Sequence, residues 1–297
     1  MKEIAILGPT ASGKTALSLE LAEICNGIIL SLDSLSIYKE IDIASAKPTK
    51  QERGQIPHFG IDEIYPNEHF STALFFEIYK VAKKEALKNE KNLIIVGGTS
   101  FYLKSLIEGL NPKPNISKEI KNRVKTISIK EGYEMIRKYD PIYADKISSK
   151  DKYRIEKWLE IFFATNKPLT NYFNSSNKSP LIKDLKIYEI EINRSELKNK
   201  IALRTNKMIK VGLIDEVLYL EKKYTRAPKA MNSIGIKETL EYLDGYLTLD
   251  ELQTKITNKT AQLAKRQSTF NRSQFKNIIK ADTKTLKTLI QNYLKKI

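Results

Sequence analysis

The stretch Gly8-Pro9-Thr10-Ala11-Ser12-Gly13-Lys14-Thr15 constrains this chain more than any other. It follows an apolar run, Ile4-Ala5-Ile6-Leu7, and leads into a helical pattern with Leu17, Leu21 and Ile24 on one face. Strand, glycine loop and helix in that order make a phosphate-binding P-loop. The glycines let backbone N–H groups turn inward toward phosphate oxygens. The helix N-terminus adds partial positive charge, Lys14 adds a full one, and the Thr15 hydroxyl can hold Mg²⁺. A glycine turn without a ligand would not require Lys and Thr straight after the second glycine. The loop therefore points to a polyphosphate or diphosphate, without saying which bond breaks.

The remainder of the first third repeats the strand–helix alternation, which predicts a mainly parallel sheet. Asn26-Gly27 stops the first helix, and Ile28-Ile29-Leu30-Ser31-Leu32 reads as a second strand ending at Asp33-Ser34. Ligands of parallel α/β sheets bind at the carboxyl ends of strands, so Asp33 joins the P-loop if the two strands are neighbours. Asp before Ser is also an ordinary helix cap or turn former. Residues 44–69 are loop-rich, with Pro48, Pro57, Gly60 and Pro66. Ser71 is placed to cap a helix to about Asn89 that buries Phe75, Ile78, Val81 and Ala82. Leu93-Ile94-Ile95-Val96 then forms an apolar strand ending in Gly97-Gly98-Thr99. An ordinary P-loop hydrolase places an acidic metal ligand there. Two glycines and a hydroxyl argue against simple ATP hydrolysis.

Asn111-Pro112-Lys113-Pro114 is the clearest boundary in the chain. Beyond it the strand pattern vanishes, and helical patterns cover about 117–129, 131–139 and 150–165 before Asn174-Ser175-Ser176-Asn177. The expected fold is α/β: a P-loop NTPase-like parallel sheet core flanked by helices, residues 1–112 and 181–297, with an all-helical insertion domain at 113–180. Leu185 to Ile192 alternates and returns to the sheet, and Ser195 is placed to cap a helix to about Val211. Further helices are expected near 213–223, 235–244 and 249–271, then a short strand at Asn277-Ile278-Ile279 and a terminal helix from Thr283.

Charge follows the same division. Residues 1–112 carry 12 Lys and Arg against 14 Asp and Glu, residues 113–180 carry 15 against 8, and residues 181–297 carry 24 against 13. The P-loop third is thus slightly acidic, and the excess that makes the chain +16 lies in the other two. A basic surface attracts a polyanion such as nucleic acid, although a Lys-rich face also serves solubility. No run of about 18 apolar residues occurs, so no transmembrane helix is expected. The chain enters its first strand without room for a signal peptide, and the single Cys25 cannot form an internal disulfide, so the cytoplasm is the expected compartment. Cys25 reads as a small buried hydrophobe. His58 and His69 are the only histidines and read as structural or surface residues rather than metal ligands.

Several separated stretches together resemble the bacterial tRNA dimethylallyltransferase (tRNA isopentenyltransferase) family. They are the P-loop, Ser31-Leu32-Asp33-Ser34 with Ile37-Tyr38, Asp42-Ile43, Ala46-Lys47-Pro48, Pro57-His58 and Ile61-Asp62. Val96-Gly97-Gly98-Thr99, Tyr102, Gly109-Leu110, Ile234-Gly235 and Gln262-Leu263-Ala264-Lys265-Arg266-Gln267 follow in family order over nearly the whole chain. The resemblance implies transfer of a dimethylallyl group from dimethylallyl diphosphate to N6 of adenosine 37, beside the anticodon, in tRNAs reading codons that begin with U. It implies a monomer whose helical insertion clamps the anticodon arm.

By the same resemblance, Asp33 is the general base for the weakly nucleophilic exocyclic amine. Gly8 to Thr15, with Lys14 and a Mg²⁺ on Thr15, hold the leaving diphosphate. Thr99 lies near the bridging oxygen and the target nucleotide, which is flipped from its stack. Contacts to tRNA fall on Asp33, Ser34, Leu35, Ser36 and Thr99, on Lys121, Arg123, Tyr153, Arg154 and Lys157, on Asn232, Gly235 and Lys237, and on Lys265, Arg266, Gln267 and Arg272. The chain departs from the family pattern at Asn232 (frequently Arg), Ile236 (Tyr), Phe270 (Trp) and Tyr153 (Gln), which leaves the diphosphate end untouched. A free-nucleotide (adenylate) prenyltransferase or P-loop small-molecule kinase is the alternative, but neither needs so basic a footprint. A non-catalytic RNA-binding protein would not need Asp33 beside an intact loop.

Overall fold

A computed structural model describes residues 1–111, 114–175 and 179–295. Pro112 and Lys113 of the expected boundary, and Ser176 and Asn177 of the Ser/Asn stretch, lie outside the described residues. The chain runs β1 (Glu3–Leu7), α1 (Lys14–Ile24), β2 (Gly27–Ser31), α2 (Lys50–Arg53), β3 (His58–Phe59), α3 (Thr72–Lys88), β4 (Asn92–Gly97) and α4 (Ser100–Glu108). Five helices follow: α5 (Lys118–Thr126), α6 (Ile129–Tyr139), α7 (Pro141–Ala144), α8 (Lys152–Thr165) and α9 (Leu169–Ser175). The last part is β5 (Lys186–Ile190), α10 (Arg194–Lys210), α11 (Leu213–Tyr224), α12 (Ile236–Leu243), α13 (Leu249–Gln274), β6 (Ile278–Ala281) and α14 (Thr283–Lys295), with a 3-10 turn at Lys229–Asn232. Two compact units emerge: Met1–Ile107 with Ile182–Ile297, and Glu108–Leu181.

The first unit is built on a parallel sheet in the order β3-β2-β4-β1-β5-β6. Its central strands read as continuous apolar runs because helices cover both faces of such a sheet; all five residues of β2 are buried. On one face Leu17, Leu21 and Cys25 of α1 and Leu286, Ile290 and Leu294 of α14 close over Ile4, Ile6, Ile29, Ile94 and Val96. Each such side chain contributes roughly 1.5–3 kcal/mol by leaving water. β1 and β2 are not neighbours, because β4 pairs with both. The three loops after β1, β2 and β4 nevertheless share the carboxyl edge, since the strands run parallel.

The helix phases differ from the sequence reading at two points. Ile24 is 37% exposed and Val81 is 57% exposed. The buried stripes run through Leu17, Leu21, Ala22 and Cys25 on α1, and through Phe75, Ile78, Tyr79, Ala82 and Ala86 on α3. Each misplaced residue sits about 100° around the helix from its buried neighbour. Asn193, not Ser195, caps α10, accepting the Ser195 N–H at 2.9 Å. β3 lies in the segment read as loop, and α7 and α9 were absent from the helical patterns.

The second unit is helical. Its core gathers Val124, Ile136, Ala144, Ile155, Trp158, Leu159 and Leu169. Buried Asp140 ties three helices to one another by accepting from Trp158 Nε1 at 3.0 Å, from the Thr170 N–H at 2.9 Å and hydroxyl at 2.6 Å, and from the Tyr143 N–H at 3.3 Å. Among the described residues no helix is long and apolar enough to cross a membrane.

Candidate active site

The carboxyl edge of the sheet in the first unit opens into a cleft. The loop after β1 and the start of α1 supply Thr10, Lys14, Thr15 and Ser18; β2 and its following turn supply Ser31, Asp33 and Ser36; β4 ends in Gly97 and Gly98. Ser45, Ala46, Lys47 and Pro48 form one wall, with Ile29, His58, Ile61 and Val96 giving an apolar and aromatic side. Arg204 of α10 and Gln267 of α13 complete the lining.

The P-loop is held in its phosphate-binding shape without a ligand. Gly13 sits at φ 96°, in the left-handed region that glycine enters freely, and offers no side chain to cap α1. The first-turn N–H groups of α1 are therefore left to a ligand. Ala11 also lies at φ 64°, a conformation disfavoured for a residue with a Cβ by about 1–2 kcal/mol. Ser12 Oγ is buried and has no hydrogen-bond partner among the described residues. A buried hydroxyl without a partner is costly, and a phosphate oxygen arriving in the loop would satisfy it.

The cleft is electrostatically poised for an anion. Lys14 Nζ donates to the Pro9 carbonyl at 2.6 Å. Burial, and secondarily the Arg204 charge, push the Lys14 ammonium down to about 7, against the pull of Asp33 and Glu189. Arg204 is destabilised in its charged form by burial too. Its Nη1 lies 3.5 Å from Thr10 Oγ1 and its Nη2 3.4 Å from the Ser45 carbonyl. Among the described residues neither cation has a carboxylate within ion-pair distance. Two buried like charges are tolerable when the bound ligand supplies the counter-charge.

Asp33 faces these cations from the turn after β2. Its Oδ1 accepts the Leu35 N–H at 2.8 Å and the Ser36 N–H at 3.2 Å. The turn-forming role considered from sequence is therefore real, and it occupies one oxygen only. Oδ2 has no hydrogen-bond partner among the described residues, so it is available to accept a proton. Thr99 Oγ1 lies 3.5 Å from Ser34 Oγ, joining the β4 turn to the β2 turn.

The opposite wall is braced by charge. Glu216 of α11 accepts the backbone N–H groups of Asp42, Ile43 and Ala44 at 2.8, 2.7 and 2.9 Å. Lys47, with its side chain only 4% exposed, reaches Asp42 at 2.6 Å and Asp62 at 2.5 Å and donates to the Tyr38 carbonyl. No group of three or more His, Cys, Asp or Glu that could hold a metal is found among the described residues. A divalent cation that keeps most of its ligands as phosphate oxygens and water needs only one or two protein oxygens. The Thr15 hydroxyl in this cleft fits Mg²⁺ of that kind.

The structure thus brings Thr10, Lys14, Thr15, Asp33, Ser36 and Gln267 to one cleft, with Ser34, Leu35 and Thr99 beside it. Elsewhere in the first unit, Asn232, Lys237, Lys265, Arg266 and Arg272 are exposed, and Gly235 is buried at the start of α12. In the second unit Lys121 and Tyr153 are exposed, the Arg123 guanidinium lies 3.9 Å over the Phe163 ring, Arg154 pairs with Asp151 at 2.7 Å and Lys157 with Glu160 at 2.5 Å. Sequence reasoning missed Arg204, Glu216 and the strut role of Lys47. A signal for Arg204 existed: it sits between Ile201 and Thr205, the buried residues of α10, so a cation was predictable on that helix's inward side.

The IPP transferase family model matches residues 36–274. A tRNA dimethylallyltransferase of Aliarcobacter butzleri is 59% identical over 93% of this chain and 94% of its own length. One from a Sulfurovum species is 51% identical over 98% and 97%. The crystal structure of full-length tRNA isopentenylpyrophosphate transferase from Bacillus halodurans is 29% identical, with a TM-score of 0.72 over 99% of this chain and 95% of that one. A eukaryotic dimethylallyltransferase described as acting on tRNA is 25% identical, with a TM-score of 0.83 over 95% of this chain and 74% of its own. A phosphate cradle, a carboxylate free on one oxygen and a Gly-Gly-Thr turn around one cleft, together with identity of this extent, show that the chain belongs to the IPP transferase family.

Proposed function

We propose that the chain transfers the dimethylallyl group of dimethylallyl diphosphate to N6 of adenosine 37 in tRNAs reading codons that begin with U, releasing diphosphate. The observation that carries this reading is the cleft itself. It joins a diphosphate cradle to a carboxylate, and it ends β4 in glycines where a hydrolase would hold an acidic metal ligand.

The allylic carbon can carry positive charge, so departure of diphosphate leads the reaction and its developing charge is what the protein stabilises. The P-loop amides, Lys14 and Arg204 are preorganised for that task in a buried setting. The Thr15 hydroxyl would hold a Mg²⁺, which would supply further charge neutralisation to the leaving group. The apolar side, Ile29, Ile61 and Val96 beside His58, suits the five-carbon chain. Asp33 Oδ2 takes the proton from N6 as the carbon–nitrogen bond forms. In this reading the Thr99 hydroxyl, 3.5 Å from Ser34 Oγ beside the cleft, holds the bridging oxygen and the incoming nucleotide.

The adenine must leave its stack to reach Asp33, which costs a few kcal/mol. Contacts to phosphates offset that cost: Lys237, Lys265, Arg266 and Arg272 from the first unit, and Lys121 with Tyr153 from the second, stand exposed for them. Arg123, Arg154 and Lys157 would exchange intramolecular partners for RNA. The second unit holds the anticodon arm, and the enzyme works as a monomer in the cytoplasm. Incubation with labelled dimethylallyl diphosphate and an unmodified anticodon stem-loop tests the reading: label is expected on the RNA, and its absence there contradicts the proposal.

A further inference from the structure

One residue of the cationic run on α13 turns inward. Lys265 and Arg266 are exposed, whereas Gln267 lines the cleft. Its Oε1 accepts the Thr10 backbone N–H at 2.9 Å. The assignment follows from chemistry, because an N–H can be accepted only by the amide oxygen. The Nε2 end then lies against Gly98, where an added Cβ would come within 2.2 Å of it. Gly98 has no positive φ that would call for glycine, and a side chain there would have to displace the flexible end of the Gln267 amide. Thr10 also carries the hydroxyl that Arg204 approaches at 3.5 Å.

We propose that Gln267 is a positioning residue: its amide staples the diphosphate loop to the Gly97-Gly98-Thr99 turn and couples donor binding to the seating of α13. The inference rests on the transfer reaction proposed above. α13 is one continuous helix, so RNA phosphates gripping Lys265 and Arg266 fix the neighbouring Gln267, and with it the Thr10 amide. A seated RNA then tightens the donor site, and by linkage a bound donor tightens the RNA site by the same factor. Gln267 acts through Thr10 and Gly98 and does not itself take part in bond making.

The test uses the full chain as wild type, Gln267→Ala, Gly98→Ala and the double variant. It measures kcat, KM for dimethylallyl diphosphate, and the affinity of an unreactive thiolodiphosphate analogue of the donor with and without the anticodon stem-loop. One uncharged hydrogen bond corresponds to about a two- to tenfold effect. Gln267→Ala is expected to raise the donor KM by that factor and to abolish the stem-loop's effect on analogue affinity, while stem-loop affinity stays within about twofold. Gly98→Ala is expected to weaken the donor site of the wild type at least as much, and to add less than about twofold in the Gln267→Ala background, where the clash is gone. Lost stem-loop affinity with an unchanged donor KM overturns the proposal and makes Gln267 an RNA contact. Additive effects of the two substitutions, or a wild type whose analogue affinity ignores the stem-loop, overturn it equally. Should Gln267→Ala not fold, Gly98→Ala alone decides, because it leaves α13 intact: an unchanged donor KM then refutes the staple. A wild type that never labels the stem-loop refutes the transfer reaction itself, whereas an active wild type with an indifferent Gln267→Ala refutes only the staple.

Discussion

Asp33→Asn separates two jobs that the carboxylate performs. Oδ1 holds the turn after β2 through the Leu35 and Ser36 N–H groups at 2.8 and 3.2 Å, and Oδ2 is the atom assigned to the proton of N6. Asparagine keeps a carbonyl oxygen for the turn but places an NH₂ group where Oδ2 stood, and an amide NH₂ cannot accept a proton. The single-turnover rate with saturating donor and stem-loop is therefore expected to fall by about 10²–10⁴-fold, the usual share of a general base. Stability should not change. Asp33→Ala removes both functions, so it should lose the same rate and also destabilise the protein by about 1–3 kcal/mol, the net worth of two hydrogen bonds. Rapid-quench kinetics with labelled donor and urea unfolding measure the two quantities. An Asp33→Asn enzyme within about threefold of wild type would mean that another group takes the proton. Equal destabilisation by Asn and Ala would mean that Oδ1 does not hold the turn.

Three further outcomes follow from the cleft. Arg204→Gln should raise the donor KM by about 10- to 100-fold, because it removes a charge-assisted contact to phosphate, and an unchanged KM would place the diphosphate elsewhere. Lys14 is held down to about 7 in the free protein by burial and by Arg204, so most of it is neutral at pH 8 and bound diphosphate must restore the ammonium. Binding of the unreactive donor analogue at pH 8 should take up protons, and its affinity should weaken as pH rises; calorimetry in two buffers of different ionisation enthalpy measures this, and zero uptake contradicts it. Neutralising Lys265 and Arg266 together should reduce the slope of log K against log salt for the stem-loop by about 2, and an unchanged slope would put the RNA on another face.

The strand, glycine loop and helix of residues 3–24 were legible in the sequence because they form one contiguous stretch. Gly8 to Thr15 folds locally, and its neighbours announce strand and helix. The apolar runs of β1, β2 and β4 were equally plain, since a parallel sheet buries both faces of its strands. What escaped was long-range. His58–Phe59 becomes a strand only by pairing with Ile29 and Leu30, and two residues carry no periodicity of their own. Arg204 and Gln267 reach Thr10 from 194 and 257 residues away, a proximity set by the docking of α10 and α13. The order of β2, β4 and β1 was likewise invisible, and it is β4 lying between the other two that sets Gly97-Gly98-Thr99 between the P-loop and Asp33. Helix phase failed where a β-branched residue flanked the buried stripe, as at Ile24 and Val81.

In the proposed reaction the P-loop of this chain holds a diphosphate as a leaving group and the acceptor is a base in RNA. Labelling with dimethylallyl diphosphate measures it directly, using an anticodon stem-loop with adenosines at 36, 37 and 38, a variant lacking adenosine 37, and free AMP as acceptors. One label per stem-loop is expected on adenosine 37, with one diphosphate released per transfer and no label on the variant or on AMP. Label on AMP without label on the stem-loop, or release of inorganic phosphate in place of diphosphate, would contradict it.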